Sequence, residues 1–139
     1  MKKLDLVLLV DDCKATNFVH RLLIENHGFA KKVDDVSDGV EALDYLTKAV
    51  DGTYPQPDLI FLDINMPRMN GWEFLDAYEK LPADQKAGAV VVMLTTSLNP
   101  SDREMAASRN EINGFSSKPL DNEKLIGVLQ QYYPECVAV

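Results

Sequence analysis

Three short stretches of the chain are apolar at every position: Leu6 to Val10 (LVLLV), Leu59 to Leu62 (LIFL) and Ala89 to Leu94 (AVVVML). A strand with one wet face alternates apolar and polar side chains. An unbroken apolar run of this length predicts a strand covered on both faces, and therefore a parallel sheet. Between the runs the spacing turns helical. Ala15, Phe18, Val19, Leu22 and Leu23 form one apolar stripe, with Gly28 placed as a C-cap. Val40, Leu43 and Leu46, with Ala42 and Ala49 alongside, predict a second helix, ended by Asp51-Gly52 and by Pro55 and Pro57. Asn70 and Glu73 have the spacing of a capping box and open a third helix that runs through Tyr78. Asn99-Pro100 opens a fourth, and Asp121 caps a fifth, apolar at Leu125, Val128 and Leu129 and closed by Pro134. Ala30 to Val36 and Gly114 to Lys118 are assigned as strands mainly by their place in the alternation. Five strand–helix units predict a doubly wound α/β fold with a five-stranded parallel sheet and five helices. Nothing repeats internally, so residues 1–139 are expected to form a single domain, with its core at about 4–133 and a short tail over 134–139.

Composition narrows the function classes. A chain of 139 residues can bury roughly two-thirds of its unfolded surface around a single core. Lys plus Arg number 14 and Asp plus Glu 22, for a net charge of −8. That balance argues against nucleic acid and against an anionic membrane surface, both of which require basic patches. No apolar run reaches the length of a membrane span. The opening MKKLDLVLLV is too short for a signal peptide, is interrupted by Asp5, and is followed by Asp11-Asp12 rather than a small-residue cleavage site. It is read as a first strand and the protein as cytoplasmic. Cys13 and Cys136 form no CxxC and are expected to be thiols of a reducing compartment.

Ligands of open parallel sheets bind beyond the carboxyl ends of the strands, and right-handed crossovers bring those ends to one edge. The polar residues at those ends are Asp11 and Asp12, Asp63, Thr95 and Lys118. Each has an ordinary alternative. Asp11 or Asp12 would suit the N-cap of the first helix, Asp63 a turn with Asn65 and Pro67, Thr95 and Thr96 a strand end, and Lys118 the solvent. Together they form a constellation. Three neighbouring carboxylates repel one another unless a cation joins them, and Mg²⁺ suits oxygen ligands that also leave room for water and a phosphate oxygen. An aspartate beside such an ion is competent as a nucleophile that forms an acyl phosphate, with Mg²⁺, the Lys118 ammonium and the Thr95 hydroxyl on the phosphoryl oxygens.

The segments LLVDDCKATN, DLIFLDINMPRMNG, VVMLTTS and GFSSKPL, in this order and spacing, resemble the CheY-like receiver domain of two-component response regulators over about residues 4–133. The resemblance implies a flavodoxin-like sheet of order 2-1-3-4-5. It makes Asp63 the phosphoacceptor, Asp12 a direct Mg²⁺ ligand, Asp11 a ligand through water and the Asn65 backbone carbonyl a third protein contact. It makes Thr95 and Lys118 the phosphate-sensing pair and Phe115 an aromatic switch, a position that a core aromatic would also fill. It implies a cis bond at Lys118-Pro119. Thr96 is larger than the family's preference, which narrows access to the phosphoryl group, and Asn65 and Ser97 occupy positions that tune dephosphorylation. The stretches Asp51 to Pro57 and Leu81 to Gly88 are longer than in minimal receivers and resemble those of stand-alone regulators paired with phytochrome-type kinases.

The expected function is therefore that of a single-domain response regulator. It takes a phosphoryl group from a sensor histidine kinase or histidine phosphotransfer protein and signals through the face of the fourth helix, fifth strand and fifth helix to an unidentified protein target. It is expected to be a monomer or weak homodimer, to need no organic cofactor, and to act on no substrate but itself. A haloacid-dehalogenase-type phosphohydrolase would place a general-acid aspartate where Asn65 stands, and an FMN binder would not put Asp11-Asp12 beside a phosphate. A receiver-like adaptor that is never phosphorylated is the remaining alternative. His20 and His27 are expected to be solvated on the first helix, with His27 near its C-terminal dipole. Cys13 is read as structural and Trp72 as partly packed helix surface and a fluorescence reporter.

Overall fold

In the computed structural model, which describes residues 3–86, 90–96, 99–110 and 112–137, five strands form one parallel sheet in the order β2-β1-β3-β4-β5. They are β1 (Val7–Val10), β2 (Val33–Val36), β3 (Leu59–Asp63), β4 (Val90–Thr95) and β5 (Gly114–Ser117). The helices among the described residues are α1 (Lys14–His27), α2 (Gly39–Thr47), α3 (Gly71–Glu79), α4 (Ala83–Lys86), α5 (Pro100–Ser108) and α6 (Asn122–Tyr132), followed by a 3-10 turn at Pro134–Cys136. The short α4 lies in a stretch expected to be loop, so the expected fourth and fifth helices are α5 and α6. Ser97 lies outside the described residues.

Burial explains the unbroken apolar runs. Val7 and Leu9 of β1, with Leu59 and Phe61 of β3, pack with Ile24 of α1 and with Leu125 and Leu129 of α6. Their neighbours Leu8, Val10, Ile60 and Leu62 face the other way, onto Ala42 and Leu46 of α2 and Phe74, Leu75 and Tyr78 of α3. Successive side chains of one strand thus enter opposite cores, which is what a doubly wound sheet demands. The edge strand β2 reads VDDV, and its two acids are held by neighbours: Tyr45 Oη donates to Asp34 at 2.5 Å and Arg21 to Asp35 at 2.6 Å. A charged edge strand of this kind resists pairing with another chain.

The helix ends follow local chemistry. Asn70 accepts from the Glu73 N–H at 2.9 Å while Glu73 accepts from the Asn70 N–H at 3.1 Å, closing the expected capping box. Gly28 is left-handed at φ 79° and its N–H reaches the Ile24 carbonyl. Asn99 and Asp121 cap α5 and α6. Cys136 is buried in the core with Leu129, so the described part of the tail packs onto the domain.

α1 departs from expectation. Phe18, Val19 and Leu22 are 60%, 54% and 43% exposed, Ala15 is exposed too, and the helix instead buries Asn17, His20 and Ile24. A shift of two residues turns a helix by about 200°, so the stripe at 15, 18 and 22 lies nearly opposite the one at 17, 20 and 24. His20 is not solvated: its Nε2 accepts the Leu120 N–H at 3.2 Å. His27 is half-buried against Phe29 rather than free in water. Ala49, expected on the second helix, lies beyond its end and is exposed.

One close approach places the turn after β3. A Cβ on Gly71 would lie 2.5 Å from the Asp63 carbonyl oxygen and 3.1 Å from the Ile64 Cα, while the Gly71 N–H bonds to the Ile64 carbonyl at 2.8 Å. Gly71→Ala should therefore lower stability in urea titrations by about 1–3 kcal/mol, the usual range for overpacking. Gly127→Ala in α6, where nothing lies within 4 Å, should raise it by about 0.5–1 kcal/mol. Equal effects of the two substitutions would contradict this account.

Candidate functional site

The strand order puts β1 and β3 side by side and sends their following loops to opposite sides of the sheet, opening a crevice at their carboxyl ends. Asp11 follows β1, Asp63 ends β3, Thr95 ends β4 and Lys118 follows β5. All are buried or half-buried, whereas Asp12 is exposed at the rim. Oxygen atoms of Asp11, Asp12 and Asp63 lie within 4.8 Å of one another. The Lys118 Nζ sits between two of them, 2.5 Å from Asp11 Oδ2 and 3.1 Å from Asp63 Oδ1. The five residues singled out in the sequence therefore share one edge of the sheet, and the two most buried acids share the ammonium.

Backbone bonds fix each member. Asp11 Oδ1 accepts the Cys13 N–H at 2.9 Å, and its carbonyl accepts from Asn17 Nδ2 at 2.9 Å. Asp11 is thus a bracket at the start of α1 and not its N-cap, a position held by Cys13. Asp63 Oδ1 accepts the Ile64 N–H at 2.9 Å. The Lys118 N–H bonds to the Thr95 carbonyl at 2.9 Å, tying the ends of β4 and β5 together, and the Lys118–Pro119 bond is cis as expected. Asn65 lies exposed two residues past Asp63, and Thr96 is exposed beside Thr95. Phe115 is half-buried on β5 against the core, with the Arg103 guanidinium 5.8 Å from its ring centre. Trp72 is half-buried on α3 against the same core.

The electrostatics follow from burial and crowding. Burial first, and the field of Asp11 second, raise the Asp63 pKa; Lys118 and the Ile64 N–H offset them only in part. Burial works against the Lys118 charge, but its hydrogen bond to Asp11 and the fields of both carboxylates outweigh it, so its pKa is raised. Three carboxylates and one ammonium leave a deficit of two positive charges when all are ionised. This donor set, all oxygen with a two-charge deficit, fits a hard divalent cation. Such a cavity can bind a small anion against that cation and Lys118, and can present a carboxylate oxygen to it.

Other contributors were not legible from the motifs. Arg68, left-handed at φ 62°, grips the buried Asp38 through two bonds of 2.8 and 3.1 Å, and Asp38 also caps α2 by accepting the Glu41 N–H at 2.9 Å. Burial alone would raise the Asp38 pKa, yet the Arg68 hydrogen bond and the backbone N–H groups bring it below the ordinary value. Gly39 donates to the Met69 carbonyl at 3.1 Å, and any Cβ on it would meet Met69 at 2.6 Å. The loop after Asp63 is thereby latched to α2. The spacing of Asp38 and Glu41, a cap signal, was the available clue. Cys13, read as structural, is instead exposed; hydrogen bonds from Thr16 lower its thiol pKa, against the field of Asp11.

Comparison with known proteins gives a consistent picture. The family model described as "Response regulator receiver domain" matches residues 7–130. The probable methanogenesis regulatory protein FilR2 of Methanothrix harundinacea is 32% identical over 120 residues, 86% of this chain and 76% of that protein. The crystal structure of a two-component response regulator from Cytophaga hutchinsonii is 30% identical, with a TM-score of 0.83 over 96% of this chain and 99% of that one. The bacteriophytochrome response regulator RtBRR is 28% identical, with a TM-score of 0.76 over 96% of this chain and 79% of that one.

The raised Asp63 pKa makes a signed prediction. A carboxyl group with a higher pKa folded than unfolded contributes stability below its unfolded pKa and loses it as pH rises through the folded value. Ionised Asp63 therefore costs stability at neutral pH without divalent ions. Asp63→Asn should raise the thermal midpoint at pH 7, and the gain should shrink as pH falls through the raised folded pKa and be gone below the ordinary aspartate value of about 3.9. Lys118→Met should lower stability at pH 7 by about 3 kcal/mol, because it leaves buried charges unpaired. Melting curves across pH in chelator-treated buffer check both; a destabilised Asp63→Asn would contradict the assignment.

Proposed function

The chain belongs to the response regulator receiver domain family, and from that membership we propose that it is a phosphorylation-driven signalling module with Asp63 as its phosphoacceptor. The observation that carries this reading is the Lys118 ammonium, within 3.1 Å of an acid that ends a fully buried strand. Oδ1 of Asp63 is engaged by Lys118 and by the Ile64 N–H, which leaves Oδ2 as the attacking atom. Oδ2 forms a bond to the phosphorus of a phosphohistidine as the P–N bond breaks. Its electron pair stays on the imidazole nitrogen, which takes up a proton. Asp11, Asp12, Asp63 and the Asn65 carbonyl would hold Mg²⁺, which when bound supplies positive charge to the transferring phosphoryl group. Lys118 and the Thr95 hydroxyl bind the phosphoryl oxygens of the acyl phosphate, and hydrolysis of that bond resets the site. The protein is thus not an enzyme acting on an external substrate.

The donor is a sensor histidine kinase or a histidine phosphotransfer protein. Phe18, Val19 and Leu22 form an exposed apolar stripe on α1, the helix that starts at the rim beside Asp12, so a donor seated there would have its phosphohistidine near Asp63. The output is a change on the α5–β5–α6 face, where Phe115 stands half-buried under Arg103, read by a downstream protein. On this reading the protein works in the cytoplasm as a monomer or weak homodimer. Among the described residues no helix is long and apolar enough to cross a membrane.

Acetyl phosphate with Mg²⁺ should add the mass of one phosphoryl group to the intact protein, and Asp63→Ala or removal of Mg²⁺ should abolish it. Phe18→Asp should leave that reaction unchanged yet slow transfer from the cognate phosphohistidine donor by about tenfold or more, the scale of a central interface residue. An adduct that survives Asp63→Ala would refute the assignment of the acceptor.

A further inference from the structure

His20 is a buried polar residue in a helix that leaves apolar residues outside. It is only 3% exposed, while Phe18, Val19 and Leu22 of the same helix face solvent. Burying an imidazole costs free energy unless it is hydrogen-bonded, and α1 could have buried an apolar side chain there. The bond it makes is specific: Nε2 accepts the N–H of Leu120, which lies 100 positions along the chain. Leu120 is two residues past Lys118, and the residue between them is Pro119, which has no N–H to anchor it. The segment 118–120 is therefore held by two amides, and by the Pro119 carbonyl, which accepts from Lys124 Nζ at 2.9 Å. Lys118 is tied by its own N–H to the Thr95 carbonyl on β4, and Leu120 is tied to His20 on α1. Accepting at Nε2 requires a neutral ring with its proton on Nδ1. Burial, assisted by the nearby Lys118 charge and opposed by Asp11, lowers the His20 pKa and so favours the neutral form.

We propose that His20 is a positioning residue for Lys118: by accepting the Leu120 N–H it clamps the turn after β5 onto α1, so that the ammonium reaches Asp63 and an incoming phosphoryl group. This rests on the reading of Asp63 as phosphoacceptor. The neighbouring Asn17 brackets the other side of the site, donating to the Asp11 carbonyl at 2.9 Å. The inner face of α1 thus ties Asp11 and Lys118 to one helix.

The test compares His20→Leu, which fills similar space without an acceptor, with His20→Gln, whose Oε1 can accept the same N–H. With acetyl phosphate and Mg²⁺, the maximal rate of Asp63 labelling should fall about tenfold or more in His20→Leu, since a displacement of about 1 Å can cost up to a hundredfold. It should recover to within about threefold in His20→Gln. Equal impairment of the two variants, or a fully active His20→Leu, would overturn the proposal. If the wild-type protein takes no label at all, the phosphoacceptor reading fails, and the clamp is then decided by the Leu120 amide. Slow hydrogen exchange at Leu120 in the wild type and His20→Gln, lost in His20→Leu, supports the clamp; unchanged exchange in His20→Leu overturns it.

Discussion

The site depends on one electrostatic compromise, the Lys118 ammonium held between Asp11 and Asp63. Two like charges about 4 Å apart repel by about 4 kcal/mol at the effective dielectric of a protein surface. Here three carboxylates come within 4.8 Å. Without a cation, that repulsion alone would offset a large part of the 5–15 kcal/mol that typically holds a domain together. The ammonium removes part of it; burial first, and the remaining field of Asp11 second, keep the Asp63 pKa raised. The same charge deficit explains why the pocket suits a divalent ion, whose two positive charges would offset it.

The frame around this compromise is rigid at Asp63, the acid proposed as the nucleophile. β3 is buried at every residue, and its register with β1 and β4 runs through Leu62 and Asp63. The turn beyond Asp63 is held by the Gly71 N–H bond to the Ile64 carbonyl, packed so closely that a Cβ on Gly71 would meet the Asp63 carbonyl, and by Arg68, which holds the capping acid of α2. A glycine at the first position of α3 is thus a packing requirement: a side chain there would push on the backbone that carries the acid. Ordinary helix propensity would favour alanine at that position.

Much of this could be read from the residues, and the failures have physical causes. The continuous apolar strands, the caps at Asn70, Asn99 and Asp121 and the gathering of Asp11, Asp12, Asp63, Thr95 and Lys118 at one edge rest on local chemistry and on the handedness of crossovers, which act alike in any sequence. α1 was misread because an apolar stripe at helical spacing normally faces the core. Here the inward face is chosen by two hydrogen-bonding side chains, Asn17 and His20, whose partners lie at the Asp11 carbonyl and at Leu120. No local pattern announces a bond to a residue 100 positions away. Arg68 carries no local signal for the same reason: its partner, Asp38, lies 30 positions earlier. The short helix at Ala83–Lys86 buries no residue and so leaves no periodic signal.

Burial is unequal across the sheet, and the inequality runs in the direction a switch needs. β1 and β3, which carry the acids, are buried throughout. β5, which leads to Lys118, is a half-exposed edge strand, and α5 beside it buries only Ala106. Segments with few buried apolar contacts open at the lowest free energy. A change of charge at Asp63 therefore meets little resistance on the Lys118 side and much on its own. Phe115 sits on this less buried strand, facing Arg103 of the loosely packed helix, so on the proposed reading movement of the β5 end would reach an aromatic near the surface while the acid stays in place. On the proposed reading the His20 bond opposes that compliance at the turn after β5, where it would hold the ammonium at the acids.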